Sequence, residues 1–257
     1  MQGRIVKAGF FFTLFFLIFS HCFSQDISFF EKKNFISHDG DTLLYRLYAP
    51  QTNKKIPLIV FFHGVGERGN DNMSQLINGV PLIYKNISAL KQPCFIMAPQ
   101  CPLQYKWANV KFDTIAQAQD SIPQKPLLMV VQAIDQLLKN YQIDSNRIYV
   151  MGLSMGGFAV WDIITRYPHE FAAAVPVCGG GDENKAALIA HLPVWAFHGA
   201  KDKVVKVERS RNMIAAMRRA GGKPVYTEYK DMGHGCWNKA FSEEAMYKWL
   251  FLQKKSN

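Results

Sequence analysis

The sequence predicts a single α/β domain with a mostly parallel sheet, helices on both of its faces and an antiparallel hairpin at its start. Short apolar segments alternate with segments of helical periodicity along most of the chain. Such alternation is typical of a parallel sheet whose crossover helices cover both faces. The 257 residues, of which 49% are hydrophobic, suffice for one sizeable core and exclude an intrinsically disordered chain.

The first 24 residues are predicted to form a signal peptide, which leaves one domain over residues 25–257. Two basic residues precede an uncharged run from Ala8 to Phe19, and the small residues Cys22 and Ser24 follow it. This pattern is typical of a secretory signal cleaved after Ser24, so we expect an exported protein, periplasmic or extracellular. A lipid anchor on Cys22 is the less favoured alternative because His21 is bulky where such signals carry a small residue. After cleavage, no stretch approaches the roughly 20 apolar residues of a membrane span.

Each predicted element rests on a local pattern. Two β-prone segments flank Asp39 and Gly40, a pair that favours a hairpin turn. The next segments are short apolar runs ended by Gly or Pro, which is typical of strands buried on both faces. Pro126 stands at the start of a segment whose apolar residues recur at helical spacing. The predicted strands are Phe29–Ile36, Thr42–Tyr48, Leu58–Phe62, Phe95–Ala98, Ile148–Met151, Ala172–Val177, Val194–Phe197 and Val225–Tyr229, and the predicted helices are Pro126–Tyr141, Met155–Thr165, Val207–Ala220 and Lys239–Leu252.

The net charge does not indicate a nucleic-acid partner. The formal charge is +10 and falls to +8 when Arg4 and Lys7 are removed with the signal peptide. Eight cations lie between Lys201 and Lys223, in a segment whose apolar residues also recur at helical spacing. This is typical of the solvated face of an amphipathic helix, and no nucleic-acid motif or aromatic stacking pattern accompanies it.

The cysteine spacing does not match that of zinc ligands. Four cysteines follow the signal peptide, namely Cys94, Cys101, Cys178 and Cys236. We therefore predict no metal, and nothing else in the sequence calls for a cofactor. An exported compartment permits disulfides, and a Cys178–Cys236 bridge is a pairing that the sequence leaves open.

The chemistry is predicted at the carboxyl ends of the strands, where parallel sheets bind ligands. Gly152-Leu153-Ser154-Met155-Gly156 lies between a predicted strand and a predicted helix. In that position Gly-x-Ser-x-Gly is a nucleophile elbow, a tight turn with room only for glycine on either side of the serine. The turn holds the hydroxyl clear of the sheet, at a helix N-terminus that favours anions. Ser154 is therefore the candidate nucleophile.

A base and an acid must accompany the serine, and in such hydrolases the acid precedes the histidine along the chain. His191, His198 and His234 are among the histidines after Ser154, and of these only His234 lies near the end of the chain, in a glycine-flanked loop. His198 is expected to pack or cap at a strand end. Asp202, just after a predicted strand, is the candidate acid that orients the imidazole. Its rivals are Asp182, Glu183 and Asp231.

An oxyanion hole of two backbone N–H groups is the third requirement. Met155 directly follows the nucleophile, so its amide is the first candidate. The second is the amide of Val65, in a loop after a predicted strand. Gly64 and Gly66 on either side of it permit the backbone to turn that amide inward.

With these motifs in this order, the sequence resembles the α/β-hydrolase superfamily. Within it, the chain is similar to exported esterases and predicted peptidases or phospholipases near the polyhydroxybutyrate-depolymerase, feruloyl-esterase and dienelactone-hydrolase groups. The resemblance covers about Leu58 to the C-terminus, and it rests on residues 63–69, 98–102, 152–157, 198–202 and 233–237. It implies the α/β-hydrolase fold, a triad of Ser154, Asp202 and His234, and oxyanion donors at Val65 and Met155.

The resemblance also implies a serine hydrolase that cleaves carboxylic esters through an acyl-enzyme. We expect a small-molecule or polysaccharide-linked ester as substrate, in which the ester joins a carbohydrate or an aromatic acid. One alternative is a small peptidase or another acyl hydrolase with the same triad, such as a dienelactone- or phospholipase-like enzyme. The other is an inactive binding protein on the hydrolase scaffold.

Residues 100–125 form a long segment without clear periodicity. Long irregular loops in compact domains are usually functional or disordered. We expect this segment to cover the substrate pocket, with Trp107 in the pocket wall; a loop anchored by buried aromatic residues is the alternative. Trp237, close to His234 in the sequence, is the second candidate for the pocket wall.

Overall fold

Eight strands form one sheet in the order β1-β2-β4-β3-β5-β6-β7-β8, in a computed structural model that describes residues 28–255. The predicted signal peptide and Cys22 lie outside the described residues. The strands are β1 Phe30–Ile36, β2 Thr42–Tyr48, β3 Ile56–Phe62, β4 Phe95–Pro99, β5 Ile143–Leu153, β6 Ala173–Val177, β7 Trp195–Gly199 and β8 Val225–Tyr229. The helices are α1 Val80–Ala89, α2 Lys125–Asn140, α3 Met155–Arg166, α4 Glu208–Arg219, α5 Trp237–Ala240 and α6 Glu244–Leu252.

The sheet is mostly parallel, which confirms the predicted fold class. From β4 through β8 every neighbouring pair is parallel. β1 and β2 pair antiparallel, with Phe30 opposite Tyr48, and β2 also pairs antiparallel with β4. The expected hairpin therefore forms one edge of the sheet. No helix within residues 28–255 is long and apolar enough to cross a membrane.

The hydrophobic core lies on both sides of the sheet. One cluster joins the sheet to α2, α3 and α4, and the other joins it to α1 and α6. β3 is buried along its whole length, as a strand covered on both faces must be. The carboxyl ends of the six parallel strands thus lie along one edge of the sheet. The loops that follow these strands carry the candidate site residues.

Helix α1 is absent from the sequence prediction, although a signal for it exists. Its buried residues Val80, Ile83 and Ile87 recur at the spacing of one helical face. Gly79 precedes them with a φ of +80°. A Cβ atom on this glycine would lie 2.4 Å from the Phe61 ring. The same glycine therefore permits both the turn into α1 and its close approach to the sheet.

The predicted helix Lys239–Leu252 is wrong as a single helix, because the chain breaks between α5 and α6. The side chain of Phe241 is buried and packs against Phe61, with ring centroids 5.6 Å apart. The Phe241 carbonyl accepts hydrogen bonds from the Tyr247 hydroxyl at 2.8 Å and the Asn86 side chain at 3.1 Å. These partners stabilise the break, and two of them, Phe61 and Asn86, are too distant in the sequence to be part of a local pattern.

Candidate active site

The loop after β5 is a sharp turn that holds Ser154 at the edge of the sheet. Ser154 has a φ of +53°, a left-handed conformation that non-glycine residues rarely adopt. A Cβ atom at Gly152 would lie 2.4 Å from the Gly156 carbonyl oxygen, and one at Gly156 would lie 1.9 Å from the Phe62 carbonyl oxygen. Only glycine fits at either position. Backbone strain at a residue with such an unusual φ is typical of functional sites.

Three side chains from distant loops meet at this turn. The Nε2 atom of His234 lies 2.9 Å from the Ser154 hydroxyl oxygen, and its Nδ1 atom lies 2.7 Å from Oδ2 of Asp202. Because an ionised carboxylate only accepts hydrogen bonds, Nδ1 carries the proton and Nε2 can accept the serine hydroxyl hydrogen. The residues predicted as nucleophile, base and acid are therefore brought together by the ends of β5, β7 and β8.

Asp202 is a buried carboxylate with a complete set of donors. Its Oδ1 atom accepts the backbone N–H groups of Val204 at 2.8 Å and Val205 at 2.9 Å. Burial by itself would raise the pKa of this carboxyl. The hydrogen bonds from His198, His234 and the two backbone amides outweigh burial and hold the pKa well below its usual range. The side chain is therefore an anion held in a fixed orientation behind His234.

The three rival acids lie in other environments. Asp182 accepts the amides of Asn184 and Gln119, both at 3.0 Å, and so caps the short helix Glu183–Ile189. Asp231 is exposed and pairs with Lys201 at 2.8 Å. The ion pairs and hydrogen bonds found among residues 28–255 do not join Glu183, Asp182 or Asp231 to His234.

The two predicted oxyanion donors flank the nucleophile. Met155 is the first residue of α3, and an amide in that position has no acceptor within its own helix. Val65 begins a short 3-10 helix, Val65–Glu67, and is 40% exposed. A Cβ atom at Gly64 would lie 3.7 Å from the Cβ atom of Ser154. The Val65 loop therefore runs directly beside the serine.

A buried histidine, whose role is not evident from the sequence, supports that loop. His63 accepts the Cys101 amide on Nε2 at 3.0 Å, so its Nδ1–H donates to the Gly64 carbonyl at 2.6 Å. Burial lowers the pKa of His63 to about 4, which keeps the ring neutral in this tautomer. The only sequence signal is its position at the end of a buried strand.

This burial predicts a pH-dependent stability. His63 has a pKa of about 4 in the folded protein and about 6.5 in the unfolded chain, so the unfolded chain binds more protons between these values. Stability then falls as the pH drops from about 6.5 to about 4, by at most about 3 kcal/mol. Denaturant unfolding of wild type and His63→Gln across this range measures the effect. If both proteins lose stability with the same slope, the prediction is wrong.

The loop of residues 100–125 is anchored by buried and charged side chains. Trp107 is fully buried, packs edge-on against Phe62 and donates its Nε1–H to the His63 carbonyl at 3.2 Å. It lies in the core and does not reach the surface of a cleft, in contrast to the expected role in the pocket wall. Arg68 donates to the carbonyls of Leu103 and Tyr105. This loop and α3 line a narrow cleft with a volume of about 20 Å³.

Trp237 lies directly beside the candidate base. Its ring meets the His234 ring edge-on, with centroids 5.4 Å apart. The Trp237 Nε1 atom is buried and has no hydrogen-bond partner among the described residues. The ring is half-buried and lies next to the imidazole that contacts Ser154.

The described cysteines are free thiols, and all four are buried. The thiols of Cys178 and Cys236 are close enough to affect each other's ionisation, but the bridge that the sequence left open is not formed. Donor atoms of Cys178, Asp202 and His234 lie within 4.8 Å of one another. This proximity is explained by the hydrogen bonds of Asp202, whose oxygens are already occupied by four protein donors. Burial raises the pKa of the Cys178 thiol.

Comparison with known proteins places similar chains among esterases. A family model described as phospholipase/carboxylesterase matches residues 48–250. The crystal structure of a thermostable esterase is 39% identical with a TM-score of 0.82, over 89% of this chain and 64% of that one. A ferulic acid esterase, 18% identical with a TM-score of 0.62, covers 86% of this chain and 95% of its own, and it shares the fold.

Two curated proteins match over shorter segments. The bifunctional acetylxylan esterase/xylanase XynS20E of Neocallimastix patriciarum is 29% identical over 89 residues, which are 35% of this chain and 13% of that protein. Poly(3-hydroxyalkanoate) depolymerase C of Paucimonas lemoignei is 42% identical over 53 residues, or 21% of this chain and 13% of that protein. The chain therefore matches only a small part of the length of these curated relatives.

Proposed function

Because this chain belongs to the phospholipase/carboxylesterase family, we propose that it is a serine hydrolase that cleaves carboxylic esters. The observation that carries the proposal is the continuous hydrogen-bond chain from Asp202 through His234 to Ser154, with distances of 2.7 and 2.9 Å. An ordinary serine hydroxyl is a weak nucleophile, and a base held within hydrogen-bond distance activates it.

The proposed reaction has two halves. His234 takes the hydroxyl proton as Ser154 attacks the ester carbonyl, and the Asp202 carboxylate stabilises the imidazolium that forms. The amides of Val65 and Met155 donate to the tetrahedral oxyanion. His234 then protonates the leaving alcohol. Water attacks the acyl-enzyme by the same route, and Ser154 is regenerated with release of the acid.

For the substrate, we propose an ester of a carbohydrate or of an aromatic acid. The names of two similar proteins, an acetylxylan esterase/xylanase and a ferulic acid esterase, support this class. Trp237 beside His234 supplies an aromatic surface for either kind of ligand.

Export through the N-terminal signal is part of the same proposal, since a polysaccharide-linked ester would be met outside the cytoplasm. Mass determination of the N-terminus after expression with the full sequence is the measurement. Mature protein that begins at Gln25 supports export, and a lipid-modified Cys22 supports anchoring instead.

Fluorophosphonate labelling is the experiment that tests the proposed nucleophile. An activated serine attacks the phosphorus atom and becomes covalently modified, whereas an ordinary hydroxyl does not react. We expect stoichiometric labelling of Ser154, located by peptide mass spectrometry, with parallel loss of aryl acetate hydrolysis. Hydrolysis without labelling, or labelling elsewhere, contradicts the proposal. Feruloyl esters, acetylated sugars and aminoacyl amides, compared in one screen, then separate the substrate classes.

A further inference from the structure

A second histidine contacts the carboxylate of the candidate triad. His198 lies in β7 and is fully buried. Its Nε2 atom lies 3.2 Å from Oδ2 of Asp202 and 3.1 Å from the Val205 carbonyl oxygen. Asp202 Oδ2 is the same oxygen that accepts the Nδ1–H of His234. Two imidazole rings therefore share one carboxylate oxygen.

The direction of the new hydrogen bond follows from its partners. A backbone carbonyl has no proton to donate, and Asp202 is an anion because its pKa lies well below the usual range. Both neighbours of His198 Nε2 are therefore acceptors, so Nε2 must carry a hydrogen in whichever protonation state the ring adopts. The Nε2–H group therefore makes a bifurcated hydrogen bond to the Val205 carbonyl oxygen and Oδ2 of Asp202.

The Nδ1 side of the His198 ring is also fixed by a hydrogen bond. The His198 Nδ1 atom lies 2.7 Å from the Ser210 hydroxyl oxygen, which lies 3.1 Å from the Gly179 carbonyl oxygen. Ser210 belongs to α4, and Gly179 follows β6. Because His198 and Ser210 are both buried, water does not compete for these groups. The ring is thus fixed between α4, the end of β6 and the acid.

We propose that His198 is a positioning residue for the hydrolysis, one that acts on His234 through Asp202. Its hydrogen bond holds Oδ2 in line with His234 Nδ1. It also withdraws part of the negative charge from that oxygen, so the carboxylate stabilises the His234 imidazolium less than it otherwise would. This inference rests on the proposed function.

Other titratable groups near the two rings do not duplicate this contact. Glu228 lies opposite His198 on β8, and its carboxylate is occupied by Arg211 and the Tyr226 hydroxyl. Cys178 lies near Asp202 and His234, and burial raises the pKa of its thiol. Lys201 and Asp231 form an exposed pair on the neighbouring loops.

The test compares His198→Met, which removes the donor at similar volume, with His198→Gln, which can place an N–H group near Oδ2. The active fraction of each protein is first titrated with a fluorophosphonate. For His198→Met we expect kcat to fall about tenfold with KM within about twofold, as for the loss of one hydrogen bond to a charged group. We expect the acid limb of the pH profile of kcat/KM to move up by about half a pH unit or more. His198→Gln should recover most of both effects.

Two controls separate positioning from packing. His191→Gln changes an exposed histidine bonded only to the Pro168 carbonyl, and its profile should coincide with that of wild type. Ser210→Ala leaves the Nε2 contact in place but frees the far side of the ring, so a smaller shift in the same direction is expected. If His198→Met does not fold, the same kinetic measurements on Ser210→Ala and His198→Gln replace it.

The outcomes distinguish this inference from the proposed function. An acid limb that stays at the wild-type pH in the titrated His198→Met protein overturns the positioning role and leaves His198 as a packing residue. If His198→Met is not available, an unshifted profile in Ser210→Ala has the same meaning. Hydrolysis that survives in Ser154→Ala overturns the triad itself, whatever the His198 variants show.

Discussion

We expect Ser154→Ala to abolish ester hydrolysis and to leave the fold intact. We expect kcat to fall by about 10⁴- to 10⁶-fold, because the acyl-enzyme cannot form and the remaining groups contribute only binding and oxyanion stabilisation. The Ser154 hydroxyl is bonded to His234, and the backbone of the turn is held separately by the Ser154 amide, which donates to the Val177 carbonyl at 2.9 Å. Loss of the hydroxyl should therefore cost little stability.

The measurement is steady-state hydrolysis of an aryl acetate, together with thermal unfolding. Ser242→Ala is a matched control, since its hydroxyl is exposed and bonds only to the Asn238 carbonyl. This control should retain wild-type kcat. Activity of Ser154→Ala within about tenfold of wild type would show that another group performs the attack. A large loss of thermal stability would show that the hydroxyl has a structural role as well.

We expect Gly156→Ala to disrupt the elbow and to destabilise the folded domain severely. The added Cβ atom would lie 1.9 Å from the Phe62 carbonyl oxygen and 2.8 Å from the His63 carbonyl oxygen. Both contacts are with backbone atoms, which cannot rotate away, so α3 must separate from β3. We expect a destabilisation of about 4 kcal/mol or more, in the range of severe core overpacking, and a largely insoluble product.

Gly235→Ala is the matched control for this effect. A Cβ atom at Gly235 meets no atom within 4 Å, and its φ of −70° suits alanine. The control should unfold at the wild-type denaturant concentration within experimental error. If soluble Gly156→Ala unfolds at that same concentration, the turn is more tolerant than its geometry indicates and the strain argument for Ser154 fails.

The sheet was largely predictable because strand and helix patterns are local. Thr42–Tyr48 and Val225–Tyr229 have the predicted bounds. β5 begins at Ile143, five residues before its predicted start, because Ile143 pairs with Ile56 across a register shift in β3. Such a pairing depends on the neighbouring strand and leaves no periodic signal in β5 itself.

The candidate site was likewise predictable where its signals are local and unpredictable where they are not. The Gly-x-Ser-x-Gly spacing around Ser154 is typical of one kind of turn, the nucleophile elbow. The order of motifs then indicated His234 as the base and Asp202 as the acid. The role of Trp107 could not be decided in advance, because an aromatic residue in an irregular loop either lines a pocket or anchors the loop. Its burial against Phe62 and His63 depends on how that loop folds over the end of β3.

The sequence by itself determined the fold class, the strand-turn-helix around Ser154 and the residue types available for acid and base, because each depends on neighbours within a few positions. Only the tertiary structure decided which carboxylate stands behind the imidazole. Asp202, Asp182 and Asp231 are chemically alike, and Asp202 differs only in that two backbone amides and two imidazoles from separate strand ends converge on it. The packing of the whole sheet brings these groups together, and no local sequence pattern encodes that packing.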